Sequence, residues 1–525
     1  MELFGDGGGV GGMGLIYRYV NEADHAQVVS IVLFAAVLSL CIVVGHLLHE
    51  NKWVNESITA IIIGGVSGVV VLFLSKGTNS HILRFNEDLF FYYLLPPIIF
   101  NAGFQVKKKQ FFRNFSTIML FGVPGVFIST VIITIGSMWL FPKIGFNGLE
   151  TQDFLAIGVI FSSTDTVCTL QVLDQDETPL LYSLVFGEGV VNDATSVVLF
   201  KAIQKIDVSR ITGWASVNVI KDFLFLFSTS TALGVVVGLL TSYALRTLYF
   251  GRHSTDRECA IMFLMPYLSY MLAELLHLSG ILTVFFCGIV MSHYAWHNVT
   301  ENSRVTTRHT FATMSFIAEA FIFLYCGMDA SDVEKWKISN KSFKTCISMY
   351  SIIILLIAVG RAAFVFPLSV LSNYMNKSDE RVSITFKHQV VIWWAGLMRG
   401  AVSIALAFKQ FTYSGVTMIP AHATMVTNTV FTVLFTTVVF GFLTKPLIRL
   451  LLPHHTSGNH HPDNTIPSHD MTLPLLSFDE SASTNILRAK DSISMLLERP
   501  VYTIHSYWRK FDDKYMRPMF GGPRR

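Results

Sequence analysis

The sequence predicts an all-α polytopic membrane protein of about thirteen transmembrane helices. Three observations carry that expectation. Apolar runs long enough to cross a bilayer recur along the chain, each close to the roughly 20 residues that span about 30 Å of hydrocarbon. Of the 525 residues, 52% are hydrophobic and only 14% are charged, against about 25% charged in soluble domains. The basic residues sit mainly in short loops between the runs. A chain built this way folds as a helical bundle in lipid, because each helix satisfies its own backbone polar groups.

In chain order the runs cover 27–48, 57–75, 87–104, 116–141, 153–173, 179–203, 219–249, 259–277, 280–296, 309–328, 344–373, 388–408 and 418–452. Membrane lipid is therefore the first partner. Residues 1–26 form a Gly-rich, mildly acidic N-terminal segment with no cleavable signal pattern, so the first helix is expected to remain as an anchor. The loops after the third, seventh and eleventh runs hold Lys107, Lys108, Lys109 and Arg113; Arg246, Arg252 and Arg257; and Lys377, Arg381 and Lys387. All three follow odd-numbered runs, which assigns that side to the cytoplasm and the N-terminus to the opposite, lumenal side. Lys201, Lys205, Arg210, Lys335, Lys337 and Lys341 go against the trend.

Residues 453–525 form a polar tail on the cytoplasmic side. It opens with a linker containing His454, His455, His460 and His461, followed by a short amphipathic helix over 485–498. Its end, from Tyr507-Trp508-Arg509-Lys510-Phe511 to Arg524-Arg525, mixes aromatic and basic residues. That composition suits an anionic membrane surface, a regulator's docking segment, or packing on the protein's own cytoplasmic face. The net charge of +3 and the scattered basic residues give no nucleic-acid footprint. The six cysteines form no CxxC pair, so neither zinc nor a disulfide framework is indicated. No nucleotide-binding loop or cofactor motif is present.

Ionisable residues inside the runs carry the functional signal, since each costs about 2.5–3.5 kcal/mol at mid-membrane even on the lenient insertion scale. The fifth run contains Ser162-Ser163-Thr164-Asp165-Thr166. These side chains compete for backbone hydrogen bonds, so the helix is a candidate for local unwinding that bares carbonyl oxygens to a hard cation. The alternative is an intact helix with back-bonded hydroxyls and a salt-bridged Asp165. The sixth run contains Glu188, Asn192 and Asp193, with Glu188 and Asn192 one turn apart. A carboxylate withdrawn from water holds a proton more tightly and can exchange it for a cation. Asp193 fits that role, and Glu188 fits a structural ion pair. Arg361 in the eleventh run and Arg399 in the twelfth need partners. Gly396 and Gly400 weaken the helix around Arg399. With the seventh run as a linker, the two weakened runs are each fifth in a six-helix half, a pattern that points to a transporter site. Pro96 and Pro97 kink or break the third run.

These motifs make the sequence recognisable. From about residue 27 to 452 it closely resembles the plant vacuolar cation/proton antiporters of the Na⁺/H⁺ exchanger family. Leu89, Phe90, Phe91, Tyr92, Tyr93, Leu94, Leu95, Pro96, Pro97 and Ile98 resemble that family's amiloride-sensitivity segment. Phe186-Gly187-Glu188 with Asn192-Asp193-Ala194 is similar to its ion-site helix. Thr164-Asp165 and Gly396 to Ala401 are similar to its two crossing helices. The resemblance implies two inverted six-helix repeats with crossed broken helices, a homodimer and elevator-like alternating access. It implies that Asp193 binds the Na⁺, K⁺ or proton, with Asp165 and the Thr164 carbonyl completing the site. Asn192, in place of a second Asp, marks electroneutral exchange. Glu188 would pair with Arg361, and Arg399 would offset helix-end dipoles. Thr166, Gly189 and Asn101 depart from the animal exchangers toward the plant subgroup.

Secondary antiport, driven by an existing proton gradient and serving ion and pH homeostasis and salt tolerance, is the leading expectation. A cation channel would need a continuous pore with selectivity rings, whereas these charges cluster near one depth. A non-transporting scaffold would leave Asp193 dispensable. An endosomal or plasma-membrane exchanger is the alternative location.

Overall fold

Leu, Ile, Val and Phe dominate every run, and in the computed structural model the runs form helices. The structure describes residues 31–48, 56–74, 87–165, 167–170, 173, 178–204, 213–247, 254–330, 343–375, 383–412, 417, 419–452 and 507–522. The expectations for residues 1–26, for Thr166, for the His-rich linker and for 485–498 lie outside these residues. Eight helices among the described residues are long and apolar enough to cross a membrane. Other runs are divided into shorter pieces, and the divisions are what position the site.

The helices sort into two bundles. The first, the frame, contains α1 (Ile31–Leu48), α2 (Glu56–Leu74), α3 (Leu95–Gln105) and, after the Lys108–Arg113 turn and the helices of the second bundle, five later helices. The second, the core, contains α4 (Phe115–Gly122), α5 (Pro124–Leu140), α6 (Thr151–Ile160), α7 (Val167–Leu170) and α8 (Pro179–Gln204). The long helix α9 (Gly213–Thr247) leads back to the frame, followed by α10 (Thr255–Leu275), α11 (Gly280–His293), the short α12 (Ala295–Asn298) and α13 (Glu301–Asp329). The core resumes with α14 (Phe343–Met375), α15 (Phe386–Ala395), α16 (Ala401–Phe411), α17 (Pro420–Phe435) and α18 (Gly441–Leu451). Within the frame α2 packs on α13, and α11 packs on α3, α9 and α10. Within the core α5 packs on α6 and α14, α8 on α4 and α6, and α16 on α6 and α17.

Local chemistry explains the divisions. Pro96 and Pro97 have no N–H to return to Tyr92 and Tyr93, and the chain answers with a π-helical turn over Phe90–Leu94 before α3 begins. α6 stops at Ile160, where Ser162 and Ser163 donate their hydroxyls to the carbonyls of Val159 (2.8 Å) and Ile160 (3.2 Å). Those side chains take over carbonyls that a continuing helix would use. α15 stops at Ala395 and α16 starts at Ala401, leaving Gly396–Gly400 irregular.

The described part of the tail packs on one end of the frame. Asp512, only 3% exposed, accepts from the Tyr294 hydroxyl (2.5 Å) and from Arg517 Nε (2.9 Å). The Asn298 amide donates to the carbonyls of Ser242 (2.9 Å) and Phe520 (2.8 Å), and Arg246 donates to those of Arg517 (3.0 Å) and Pro518. Of the three uses the sequence allowed for this segment, packing on the protein's own surface is seen for its described residues. Beside it Lys108 donates to the Ser292 carbonyl at 2.8 Å, and burial draws its ammonium down to about 8. Burial, with Arg304 nearby, holds the His297 imidazole down to about 4.

Candidate cation and proton site

The two broken helices of the core meet at their breaks. The backbone N–H of Asp165 donates to the Met398 carbonyl at 3.0 Å, joining the irregular segment after α6 to the one after α15. One turn away the hydroxyls of Ser163 and Ser403 lie 2.8 Å apart. Gly400 packs directly against Asp165; a Cβ there would lie 2.9 Å from the Asp165 Cβ. A side chain at 400 would push the two breaks apart.

α8 passes this crossing with its polar face toward it. Glu188 and Asn192 are each 1% exposed, and Asp165 is 8% exposed. Asp193 as a residue is only partly buried, but its Oδ1 is buried. Its carboxylate has Asp165, Arg399 and Glu188 as charged neighbours and the Thr164 backbone N–H nearby, and its Oδ1 has no hydrogen-bond partner among the described residues. The Thr164 hydroxyl is likewise unpartnered and buried. The Asn192 side-chain oxygen accepts weakly from Ser196 at 3.4 Å, and the Ser196 hydroxyl also lies 3.4 Å from that of Ser162. The structure therefore brings Thr164, Asp165 and Asp193 together, with Asn192 next to Asp193 on α8.

The two arginines take different partners. Arg361 forms a fork on Glu188, with one nitrogen on Oε1 and the other 3.0 Å from Oε2, and it also donates to the Ile392 carbonyl at 3.0 Å. This ties α14, α8 and α15 together in a dry environment, both side chains being 1% exposed. A Cβ at Gly396 would overlap the Arg361 guanidinium, so a side chain there would have to displace Arg361 from its place on Glu188. Arg399 is fully buried and donates to the carbonyls of Gly396 (2.5 Å) and Met398 (3.0 Å). It thus places positive charge at the carbonyl end of α15, where the helix dipole is negative.

Sequence reasoning did not connect several members of this assembly. The Met398 carbonyl, Ser163 and Ser403 build the crossing. Thr436 and Thr437, in a π-helical turn of the last run, clasp Arg399 through its N–H (3.3 Å) and its carbonyl (3.0 Å). A Thr pair inside an apolar run was the available signal. The Leu89–Ile98 segment stands on the frame, apart from the helices that carry Asp165 and Asp193.

Comparison with known proteins agrees with this architecture. Residues 14–450 match the family described as "Sodium/hydrogen exchanger, transmembrane". The chain is 70% identical over 509 residues to "Sodium/hydrogen exchanger 4" of Arabidopsis thaliana, covering 96% of each protein. It is 61% identical to "Sodium/hydrogen exchanger 1" of Oryza sativa subsp. japonica, covering 97% of this chain and 95% of the relative. Its fold matches the sodium proton antiporter MjNhaP1 of Methanocaldococcus jannaschii with a TM-score of 0.56 at 17% identity, covering 82% of this chain and all of that one. With an all-helical fold and two broken helices crossing at buried carboxylates, the chain belongs to the transmembrane sodium/hydrogen exchanger family.

Proposed function

We propose that the protein performs secondary active, electroneutral exchange of Na⁺ or K⁺ for H⁺ across an intracellular membrane, that of the vacuole, and so serves ion and pH homeostasis and salt tolerance. The observation that carries this reading is Asp193, a carboxylate at the crossing whose buried Oδ1 has no hydrogen-bond partner among the described residues, beside a neutral Asn192. A proton and a cation compete for that one carboxylate, so binding one requires release of the other. Thr164 and Asp165 complete an oxygen shell for a hard monovalent cation. Glu188 and Arg361 hold α8 in place, and Arg399 offsets the end of α15. The names of these relatives support Na⁺ and H⁺ as the ions. The K⁺ capacity, the vacuolar location, the homodimer, the lumenal N-terminus and a cytoplasmic regulator of the tail follow from the resemblance to the plant intracellular group.

Purified protein in sealed vesicles tests the proposal. An imposed pH gradient should drive Na⁺ and K⁺ movement one for one with H⁺, and a valinomycin-clamped potential alone should drive none. Asp193→Asn should fold normally and carry no more flux than protein-free vesicles. Wild-type flux in a well-folded Asp193→Asn protein would end this mechanism. Cation flux without an opposing proton gradient would favour a channel.

A further inference from the structure

A single carboxylate serves two ions in turn only if it faces one side of the membrane and then the other. Transporters built from two bundles meet that need by moving one bundle against the other around the site. Contacts that bridge the bundles are then broken and remade in every cycle.

The topology places one such contact. α8 starts near Asn114, whose amide donates to Ser183 at 2.7 Å, and runs to Lys201 at its far end. α11 ends near Lys108, which donates to the Ser292 carbonyl, and starts at Gly280 at its far end. The end of the molecule opposite Lys108 therefore brings Lys201 of the core to the α10–α11 corner of the frame. There Lys201 Nζ donates to both carboxylate oxygens of Glu274, each at 2.9 Å, and to the Leu278 carbonyl at 2.8 Å. Glu274 Oε1 also accepts from the Gly280 N–H at 3.2 Å, which fixes the carboxylate to the start of α11. These three acceptors all belong to the frame. A second core lysine does the same at this end: Lys409, near the end of α16, stands 5.3 Å from the Phe91 ring centre. Asp88 and Glu274 of the frame both lie close to Tyr92, so the frame side of the rim is acidic and aromatic where the core side is basic.

Burial separates this pair from the other one. Glu188 and Arg361 are 1% exposed and lie within one bundle. The side chains of Lys201 and Glu274 are 17% and 25% exposed and lie on different bundles. Water reaches them, so they separate without stranding a dry charge.

We propose that Lys201 and Glu274 form a latch between the bundles, closed in the conformation described here and opened once per transport cycle, which sets the balance between the two facing states without touching the ion. The proposal rests on the exchange reading above but not on the identity of the cation or the membrane.

Cross-linking provides the test. The six native cysteines are replaced, and Lys201→Cys is combined with Glu274→Cys. A short bis-methanethiosulfonate, whose spacer stands in for the two side chains, should bridge the positions. It should stop exchange, and reducing agent should restore it. Exchange that continues in fully bridged protein, or positions that cannot be bridged, overturns the latch. Absence of exchange in the wild-type protein removes the exchange reading and the latch with it. As a second measurement, Glu274→Gln in oriented vesicles should shift the apparent cation KM by about two- to fivefold, the range of a partly exposed ion pair. The shift should be opposite in sign at the two faces, because releasing the latch enriches one facing state at the expense of the other. No shift, or the same sign at both faces, also overturns the proposal.

Discussion

The frame and the core differ in the contacts that stand out between their helices. In the frame, helices touch backbone to backbone. A Cβ added to Gly64 would run into the Leu324 carbonyl, and one added to Gly327 would run into the Ile61 carbonyl, so α2 and α13 close on each other from both sides. Gly103 and Gly288 do the same for α3 and α11. Such contacts are dense with dispersion and leave no slack. In the core the breaks are joined by hydrogen bonds: Asp165 to Met398, Ser163 with Ser403, Thr437 to Arg399 and Arg361 to Ile392. A hydrogen bond can be traded for one to water or to an ion at small net free energy. The part that holds the proposed ion site is thus the part whose bonds can be exchanged, and the tightly packed frame carries none of its carboxylates.

That contrast is open to attack, most severely at the glycines. Gly327→Leu should leave almost no folded protein, because the obstacle is the α2 backbone rather than a movable side chain. Size-exclusion profiles of detergent extracts would show it, and a monodisperse variant with normal melting would mean the frame has slack after all. Next in size is the dry pair of the core. Glu188→Gln and Arg361→Ala should each lower stability by about 3–5 kcal/mol, since each strands the other charge. Neutralising both should recover much of the loss, so a double-mutant cycle on melting temperature that came out strictly additive would dissolve the pairing.

Smaller again is the crossing itself. Ser163→Ala and Ser403→Ala should each cost about 1 kcal/mol and should not add, because they share one hydrogen bond. Additive losses would place the two hydroxyls in separate networks. The smallest effect concerns pH at the docked tail. His297 binds its proton less readily in the folded protein than in the unfolded chain, so its neutral form contributes stability that is complete above about 6.5 and is lost as pH falls toward 4. Melting temperature against pH should slope down through that window, and His297→Gln should flatten the slope. An unchanged slope would assign the acid sensitivity elsewhere.

Much of this was legible in the sequence because a bilayer restricts the options. Apolar runs of spanning length have to become helices, and a Ser-Ser-Thr-Asp cluster or a Gly-bracketed Arg inside such a run marks where a helix stops. The residues of the crossing were readable for the same reason. Their connections were not. The Met398 carbonyl has no side-chain signature, and Thr436 is back-bonded to Val433 at 3.1 Å as many buried threonines are, which hides its contact with Arg399. Lys201 read as an exception to the charge asymmetry of the loops. Its partner Glu274 lies 73 residues away on another bundle, a distance over which sequence pattern carries no pairing information.

The docked tail and the Asn114–Ser183 contact have a consequence for glycan-based mapping of membrane topology. Asn114-Phe115-Ser116 and Asn298-Val299-Thr300 both fit the acceptor pattern for N-linked sugars. The nitrogen that a sugar would occupy is already committed at each: Asn114 Nδ2 to the Ser183 hydroxyl, and Asn298 Nδ2 to the Ser242 and Phe520 carbonyls. Once the chain is folded, neither nitrogen is free to take a sugar. An absence of sugar at either site would therefore not by itself report sidedness, and topology mapping by this route needs acceptor sites engineered into exposed loops.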